Sequence, residues 1–144
     1  MKRRLALISA AGAAMAASSQ TSKASSATKS AKERVVIQIS TPDPKMWNQA
    51  INYLENLREI YGPDKVEIEV VALGLGLGVL TLDSPQGPRV ADALKLGVHI
   101  NACQTTMTRR KLSKEDMLPN IGFVPGGLVQ IIKRQREGWA YIGT

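Results

Sequence analysis

Short runs of β-branched residues alternate with stretches of helical periodicity along most of this chain, and this alternation limits the folds open to it. Residues 34–39 form an apolar run that is typical of a strand buried on both faces. Asp43 and Pro44 then give a helix N-cap and a proline in the first turn, and apolar residues recur at helical spacing until Gly62. Strands and helices in alternation predict an α/β fold, in which a mainly parallel sheet has helices on both faces.

The same alternation continues to the end of the chain and predicts a three-layer single domain of about five strands over residues 34–144. Residues 65–72 alternate before turning apolar, which predicts a second strand with one partly open face. Ser84 and Pro85 repeat the signal for a helix start, and this helix has Leu96 among its apolar positions and Gly97 at its end. The other predicted elements are strands over 98–102, 122–124 and 139–142, a capped turn from Ser113, and a helix over 127–137 with Leu128, Ile131 and Ile132 facing inward.

The N-terminus has the features of a secretory signal peptide. Basic residues at positions 2–4 precede an apolar run of about 13 residues and a small-x-small pattern. A spanning helix needs about 20 residues, so this run is too short to be one. We therefore predict a signal peptide over residues 1–17, with cleavage as late as residue 27, a disordered linker over 18–33, and a periplasmic or secreted protein with no membrane span after cleavage. A membrane anchor or a transit peptide is the alternative, and Sec and twin-arginine export are both open.

The positive charge of the chain is concentrated before the predicted domain. The net charge is +7, but six of the 19 lysines and arginines lie in residues 2–32, which contain no acidic residue. The rest of the chain has 13 basic and 12 acidic residues. A nearly neutral domain removes the main argument for nucleic acid as a partner. The local basic runs at 109–114 and 133–136 are expected to be solvated faces.

Cys103 is the only cysteine and follows the third predicted strand. In that strand His99, Asn101 and Cys103 share one face, and a helix starting near Gln104 would lower the pKa of the thiol through its free amides and dipole. Arg109 and Arg110 could add to this effect. The alternative is a buried cysteine that behaves as a small apolar residue.

His99 lies about 13 Å from Cys103 along the strand, too far for direct proton transfer. We therefore expect a core or interface histidine. With one histidine and one cysteine, a zinc site within one chain is not expected.

A second candidate site is the glycine-rich run that follows the second strand. Gly74, Gly76 and Gly78 have the spacing G-x-G-x-G, with no lysine behind them. Dinucleotide and P-loop motifs need other spacings, so neither motif is present in this run. A tight loop with close backbone approach is the favoured interpretation, and binding of a small anion there is a weaker one.

Four segments of the chain carry a resemblance to a known family: VVALGLG at 70–76, GVHINACQTTM at 97–107, LPNIGFVPGG at 118–127 and QREGWAYI at 135–142. In these segments the chain resembles the DsrE/DsrF-like family of small α/β sulfur-relay proteins, and Leu73 and Leu75 stand where that family usually has a histidine and a proline. The resemblance implies a parallel five-stranded sheet, homo-oligomers that are trimers or larger rings, and no organic cofactor. It also implies that Cys103 holds a persulfide and passes it to a partner.

Two hypotheses of different classes follow. In the first, the protein is an exported sulfur carrier or relay component in which Cys103 accepts the sulfur from a donor protein and gives it to an acceptor. Asn101 would then position the thiol, and Arg109 and Arg110 would assist electrostatically. In the second, it is a non-catalytic oligomeric binding or scaffold protein of the same fold with a buried structural cysteine.

Overall fold

The computed structural model describes residues 31–144, which form a five-stranded sheet with helices on both faces. Each neighbouring pair of strands is parallel, and the strand order is β4-β3-β2-β1-β5. The predicted α/β three-layer fold is therefore confirmed. The strands are β1 (Glu33–Ile39), β2 (Val66–Ala72), β3 (His99–Cys103), β4 (Gly122–Val124) and β5 (Ala140–Gly143).

The helices connect these strands in the predicted order. Three of the crossovers carry the chain stepwise from β1 to β4, and the last crossover returns across the sheet to place β5 beside β1. The helices are α1 (Pro44–Tyr61), α2 (Gly87–Lys95), α3 (Gln104–Arg109) and α4 (Gly127–Arg136), with 3-10 segments at Gly74–Leu80 and Lys114–Asp116.

The two faces of the sheet have different cores. On one face α1 and α2 cover a large apolar cluster that includes Ile37, Leu54 and Ile100. On the other face α4 is the main cover, and its cluster of buried apolar residues is small. The small cluster consists of Val36, Val71, Val124, Ile131 and Trp139.

The helix starts are determined by capping groups and prolines. At α1 the prediction is confirmed, because the carboxylate of Asp43 accepts a hydrogen bond of 2.9 Å from the amide of Lys45. At α2 the predicted start is two residues too early. The Ser84 hydroxyl accepts from the amide of Gln86 within a turn, and the helix begins at Gly87 with Pro88 in its first turn.

Three side chains lie on the opposite side from the one that periodicity predicted. Leu128 and Ile132 on α4 are exposed, and only Ile131 of that predicted set is buried. Leu96 at the end of α2 is also exposed. A helix with apolar residues on several sides does not reveal which side meets the sheet. The side of α4 that meets the sheet carries Gln130 and Arg134 as well as Ile131.

The predicted signal peptide lies outside the described residues, as does nearly all of the linker, although β1 begins at Glu33, the last residue of that linker. Between residues 31 and 144 no helix is both long and apolar enough to cross a membrane.

Candidate functional site

Cys103 lies at the carboxyl end of β3, where the first turns of two helices meet. It is the N-cap residue of α3, and the amide of Gly127, the first residue of α4, donates a hydrogen bond of 3.1 Å to its Sγ. The residue is 5% exposed. The fold therefore places the thiol where unpaired amides and the positive ends of helix dipoles favour negative charge.

Burial and hydrogen bonding act in opposite directions on this thiol. Burial raises the pKa of Cys103, but hydrogen bonding from the hydroxyl and the amide of Thr106, and then from the amides of Gly127 and Thr105, lowers it by more. The pKa of Cys103 therefore lies below its ordinary value, and the thiolate is the favoured form at a lower pH than for a free cysteine. The guanidinium groups of Arg109 and Arg110 are not among these causes.

Thr106 is a site residue that the sequence interpretation missed. It is buried in the first turn of α3, and its Oγ1 accepts a hydrogen bond of 2.9 Å from the amide of Gly74. The contact joins the 3-10 segment to the helix that starts at the cysteine. The available signal was the spacing, because a side chain three residues after an N-cap lies next to it on the helix.

Gly127 is a second site residue that the sequence interpretation missed. The position needs a glycine because there is no room for a side chain. A Cβ there would lie 3.1 Å from Cβ of Leu73 and 3.2 Å from Cβ of Cys103. These distances are shorter than ordinary van der Waals contacts. A glycine at this position lets the N-terminus of α4 reach the thiol. The signal in the sequence was the pair Gly126-Gly127 before a helical run.

Asn101 faces the same side of β3 as Cys103, as alternation predicted, but its contacts lie elsewhere. Its amide donates a hydrogen bond of 2.8 Å to the carboxylate of Glu69 on β2. Glu69 is completely buried, so the predicted partly open face of β2 is wrong at this residue. The carboxylate also accepts from Gln130 at 2.7 Å and from Arg134, both on α4. We call these four residues the Glu69 cluster.

The Glu69 cluster joins α4 to the sheet beneath the thiol. Arg134 also stacks on Trp139, with its guanidinium carbon 4.6 Å from the ring centroid. Burial lowers the pKa of Arg134, and the carboxylates of Glu137 and Glu69 raise it by more. The expectation that residues 133–136 form a solvated basic face is therefore wrong for Arg134, because a buried carboxylate needs a paired donor.

The other candidate residues lie apart from the thiol. Arg109 and Arg110 are exposed. Arg110 lines a groove of about 520 Å³ together with Trp47, Asp83 and Asp116. His99 is exposed, with its Nε2 at 3.9 Å from Oε1 of Glu67. It is therefore not a core histidine, and the interface alternative stays a prediction.

The glycine-rich segment is a tight 3-10 turn, as predicted. A side chain at Gly76 would collide with the backbone carbonyl of Ile39, and Gly74 has a φ of 56°. The amide of Gly74 donates to Thr106, and the amide of Gly76 donates to the carbonyl of Leu73. Neither amide is therefore free for a bound anion.

Exposed apolar side chains flank the site. Leu128 and Val129, which follow Gly127 on α4, are 59% and 70% exposed. Leu75, next to Gly74, is exposed as well.

In residues 31–144 no group of three His, Cys, Asp or Glu side chains is arranged to hold a metal ion.

Comparison with known proteins gives one family and several structures of the same fold. The sequence model of the DsrE/DsrF-like family matches residues 3–143. The protein of unknown function MTH1491 from Methanobacterium thermoautotrophicum is 34% identical, with a TM-score of 0.75 over 78% of this chain and 100% of that one. No curated protein sequence matches this chain.

Two further structures share the fold at lower identity. YchN from E. coli is 12% identical, with a TM-score of 0.63 over 78% of this chain and 99% of that one. The conserved protein of unknown function BT1422 from Bacteroides thetaiotaomicron is 15% identical, with a TM-score of 0.64 over 78% of this chain and 95% of that one.

Proposed function

This chain belongs to the DsrE/DsrF-like family, and from that premise we propose that it is a sulfur-relay protein that carries sulfur as a persulfide on Cys103. The observation that supports this proposal most directly is the position of Sγ at the first turns of α3 and α4. There the amide of Gly127 donates to the sulfur and the pKa of the thiol is lowered. A buried cysteine that only filled space would need neither contact.

The proposed reaction is a transfer of sulfane sulfur between two thiols. The Cys103 thiolate attacks the terminal sulfur of a donor persulfide, R–S–SH. A new S–S bond forms to Cys103 as the S–S bond of the donor breaks, and the donor leaves as the thiolate R–S⁻. Charge and protons balance, so no external oxidant is needed. Transfer to an acceptor thiol is the same step in the opposite direction.

The surroundings of Cys103 suit both halves of this exchange. Hydrogen bonds that stabilise the thiolate raise the fraction of Cys103 that is ready to attack, and they stabilise the charge that develops on Sγ when Cys103 is the leaving group. We assign no direct contact with the sulfur to Asn101. Through the Glu69 cluster it would hold α4 in place.

The test is the uptake of sulfur by the sole thiol. The full chain is incubated with a low-molecular-weight persulfide, and the intact mass is measured before and after a reductant is added. We expect the addition of one sulfur atom, which the reductant removes, and no addition to a Cys103→Ser variant. If the wild type gains no sulfur under conditions that load a reference thiol, the proposal is wrong.

The second candidate is an oligomeric binding or scaffold protein, and the burial of Cys103 favours it. It predicts that the thiol reacts only after unfolding. Alkylation of the folded and unfolded chain separates the two candidates, because a relay thiol must react while the protein is folded.

We also propose that the protein assembles as a homo-oligomer, of trimer size or larger, through the apolar surface of α4. Leu128 and Val129 are exposed there, and adjacent exposed apolar side chains are typical of an interaction surface. Light scattering of the wild type and of a Val129→Asp variant tests this, and we expect the variant to have a lower molar mass.

Export is a separate proposal and rests on residues 1–17 alone. We expect the chain recovered from the periplasm or the medium to be shorter than the full sequence by 17 to 27 residues, counted from the predicted cleavage positions. The mass and N-terminal sequence of the recovered chain would check this, and a full-length cytoplasmic chain would contradict it.

A further inference from the structure

Residues 125–129 join β4 to α4 and include the first turn of that helix, and we call them the strap. Just before the strap, Val124 pairs with Cys103 in the sheet. Just after it, the side-chain amide of Gln130 donates to the buried carboxylate of Glu69. The strap therefore runs between two fixed points, and a displacement of the strap breaks neither of these two contacts.

The strap covers the sulfur of Cys103. The amide nitrogen of Gly127 lies 3.1 Å from Sγ, and a Cβ at Gly127 would lie 3.2 Å from Cβ of the cysteine. The cysteine is 5% exposed. Thiol exchange depends on access to the attacking sulfur. A reaction of the folded protein at Cys103 therefore requires a second position of the strap, in which Sγ is uncovered.

Thr105 attaches the first residue of the strap to α3. Its hydroxyl donates to the carbonyl of Pro125 at 2.8 Å, and its amide donates to the same oxygen at 3.2 Å. Thr105 and Pro125 are both exposed, so water can replace the hydroxyl when this bond breaks. The two glycines that follow, Gly126 and Gly127, give the backbone of the strap the freedom that a hinge needs.

We propose that the strap is a lid over Cys103, that the Thr105 hydroxyl holds it closed, and that Sγ becomes accessible when the strap opens. The inference rests on the proposed function for its use, and it adds a control of access to that same site. The population of the open position then determines how fast the folded protein reacts.

The experiment is the rate of alkylation of Cys103 by iodoacetamide in the folded full chain. Cys103 is the only cysteine, so each thiol adduct reports this site. At a reagent concentration at which the strap closes faster than the thiol reacts, the rate reports the population of the open position. The test variant Thr105→Val keeps the shape of the side chain and removes the hydroxyl. We expect its rate at neutral pH to be about fivefold higher, which corresponds to the loss of one typical hydrogen bond.

Matched variants separate a lid from a general loss of stability. Thr105→Ser keeps the hydroxyl and should react like the wild type. Thr108→Val removes a hydroxyl that donates to the carbonyl of Gln104 within α3, so its rate should not change. Thr105→Ala is measured alongside as a second variant without the hydroxyl. Circular dichroism confirms that each variant is folded, and the rate should depend little on low concentrations of urea, because a local opening exposes little surface.

A titration of the thiolate separates access from reactivity. The ultraviolet absorbance of the full chain is followed from about pH 5 to about pH 10, and subtraction of the Cys103→Ser titration removes the tyrosine contribution. The midpoint should be the same in the wild type and in Thr105→Val, because the strap is closed most of the time in both.

Three outcomes would overturn the inference: a wild-type rate in Thr105→Val and Thr105→Ala, an equal increase in Thr108→Val, or a folded wild type that reacts as fast as the unfolded chain. Sulfur uptake by the wild type is measured separately. A wild type that gains no sulfur, with an alkylation rate that still depends on Thr105, overturns the proposed function and leaves the lid standing. Sulfur uptake with an alkylation rate independent of Thr105 overturns this inference alone.

Discussion

The two faces of the sheet are held by different kinds of interaction. Under α1 and α2 the buried cluster is apolar and extensive. Under α4 a completely buried carboxylate, Glu69, accepts hydrogen bonds from β3 and from α4. Apolar contacts are non-directional and tolerate small displacements, whereas a buried carboxylate is satisfied only when its donors are correctly placed. The comparison indicates that the first face supplies stability and the second positions α4 against the thiol.

The largest expected effect is on the apolar face. Leu54 on α1 is buried in its cluster. Leu54→Ala should lower the free energy of unfolding by about 3 kcal/mol, because it removes apolar contacts and leaves a cavity. Urea unfolding measures the loss, and the thiolate titration of Cys103 should not change. Ile60→Ala on the same helix is the control, with an expected change of about 0.5 kcal/mol or less for an exposed side chain.

The next effect concerns the Glu69 cluster. Glu69→Gln keeps the shape of the side chain but removes the charge that pairs with Arg134. We expect a loss of about 2 kcal/mol on urea unfolding, since Arg134 is partly exposed and can regain some solvation. We also expect the pKa of Cys103 to rise as α4 loosens. A Glu69→Leu/Arg134→Met double variant should lose less stability than Glu69→Leu and Arg134→Met lose together when each is measured alone, and a loss equal to that sum would contradict the pairing.

A smaller effect is expected at the contact between α4 and the thiol. Gly127→Ala places a methyl group 3.1 Å from Cβ of Leu73 and 3.2 Å from Cβ of Cys103. The first turn of α4 must move away, which should cost about 1 kcal/mol and raise the pKa of the thiol. Gly126→Ala is the matched control, because its methyl group meets Val129 at an ordinary 3.5 Å. An equal shift of the titration in both variants would show that the contact is not specific.

The smallest effect is the pH dependence of stability. The folded protein loses the Cys103 proton at a lower pH than the unfolded chain, whose thiol has a pKa of about 8.5. Between these two values the unfolded chain binds more protons, so the free energy of unfolding rises with pH. The difference between the wild type and Cys103→Ala should therefore be flat below the folded pKa, increase through this window and level off above about 8.5. A difference that decreases with pH would contradict the lowered pKa.

The apolar face was largely predictable from the sequence, and the α4 face was not. Periodicity and the cap at Asp43 place α1 correctly, because both depend on residues that are close in sequence. The burial of Glu69 depends on Gln130 and Arg134, about sixty residues later in the chain, so no local pattern reveals it. When these distant partners are not known, a glutamate in a strand predicts a solvent-exposed face.

The sequence predicts the central residue of the candidate site, Cys103, but not the residues that contact it. The end of a strand and the single cysteine single out Cys103, and alternation gives its face. The contacts of Thr106 and Gly127 depend on how the 3-10 segment and α4 approach β3, which the strand order determines. Arg109 and Arg110 are close to Cys103 in sequence, which is why they were predicted to act on the thiol. They lie at the end of the six-residue helix α3, whereas Cys103 is its N-cap.

The strand order also has a kinetic consequence. Strands β1 to β4 each pair with the next strand along the chain, so the apolar face can form by stepwise addition of neighbours. Strand β5 must instead return to β1, about a hundred residues away in sequence, after α4 has crossed the sheet. Trp47 lies on the first face and Trp139 on the second, which gives each half its own fluorophore. We therefore expect the thiol to acquire its donor from α4 late in folding, and until then only the contacts within the first turn of α3 lower its pKa.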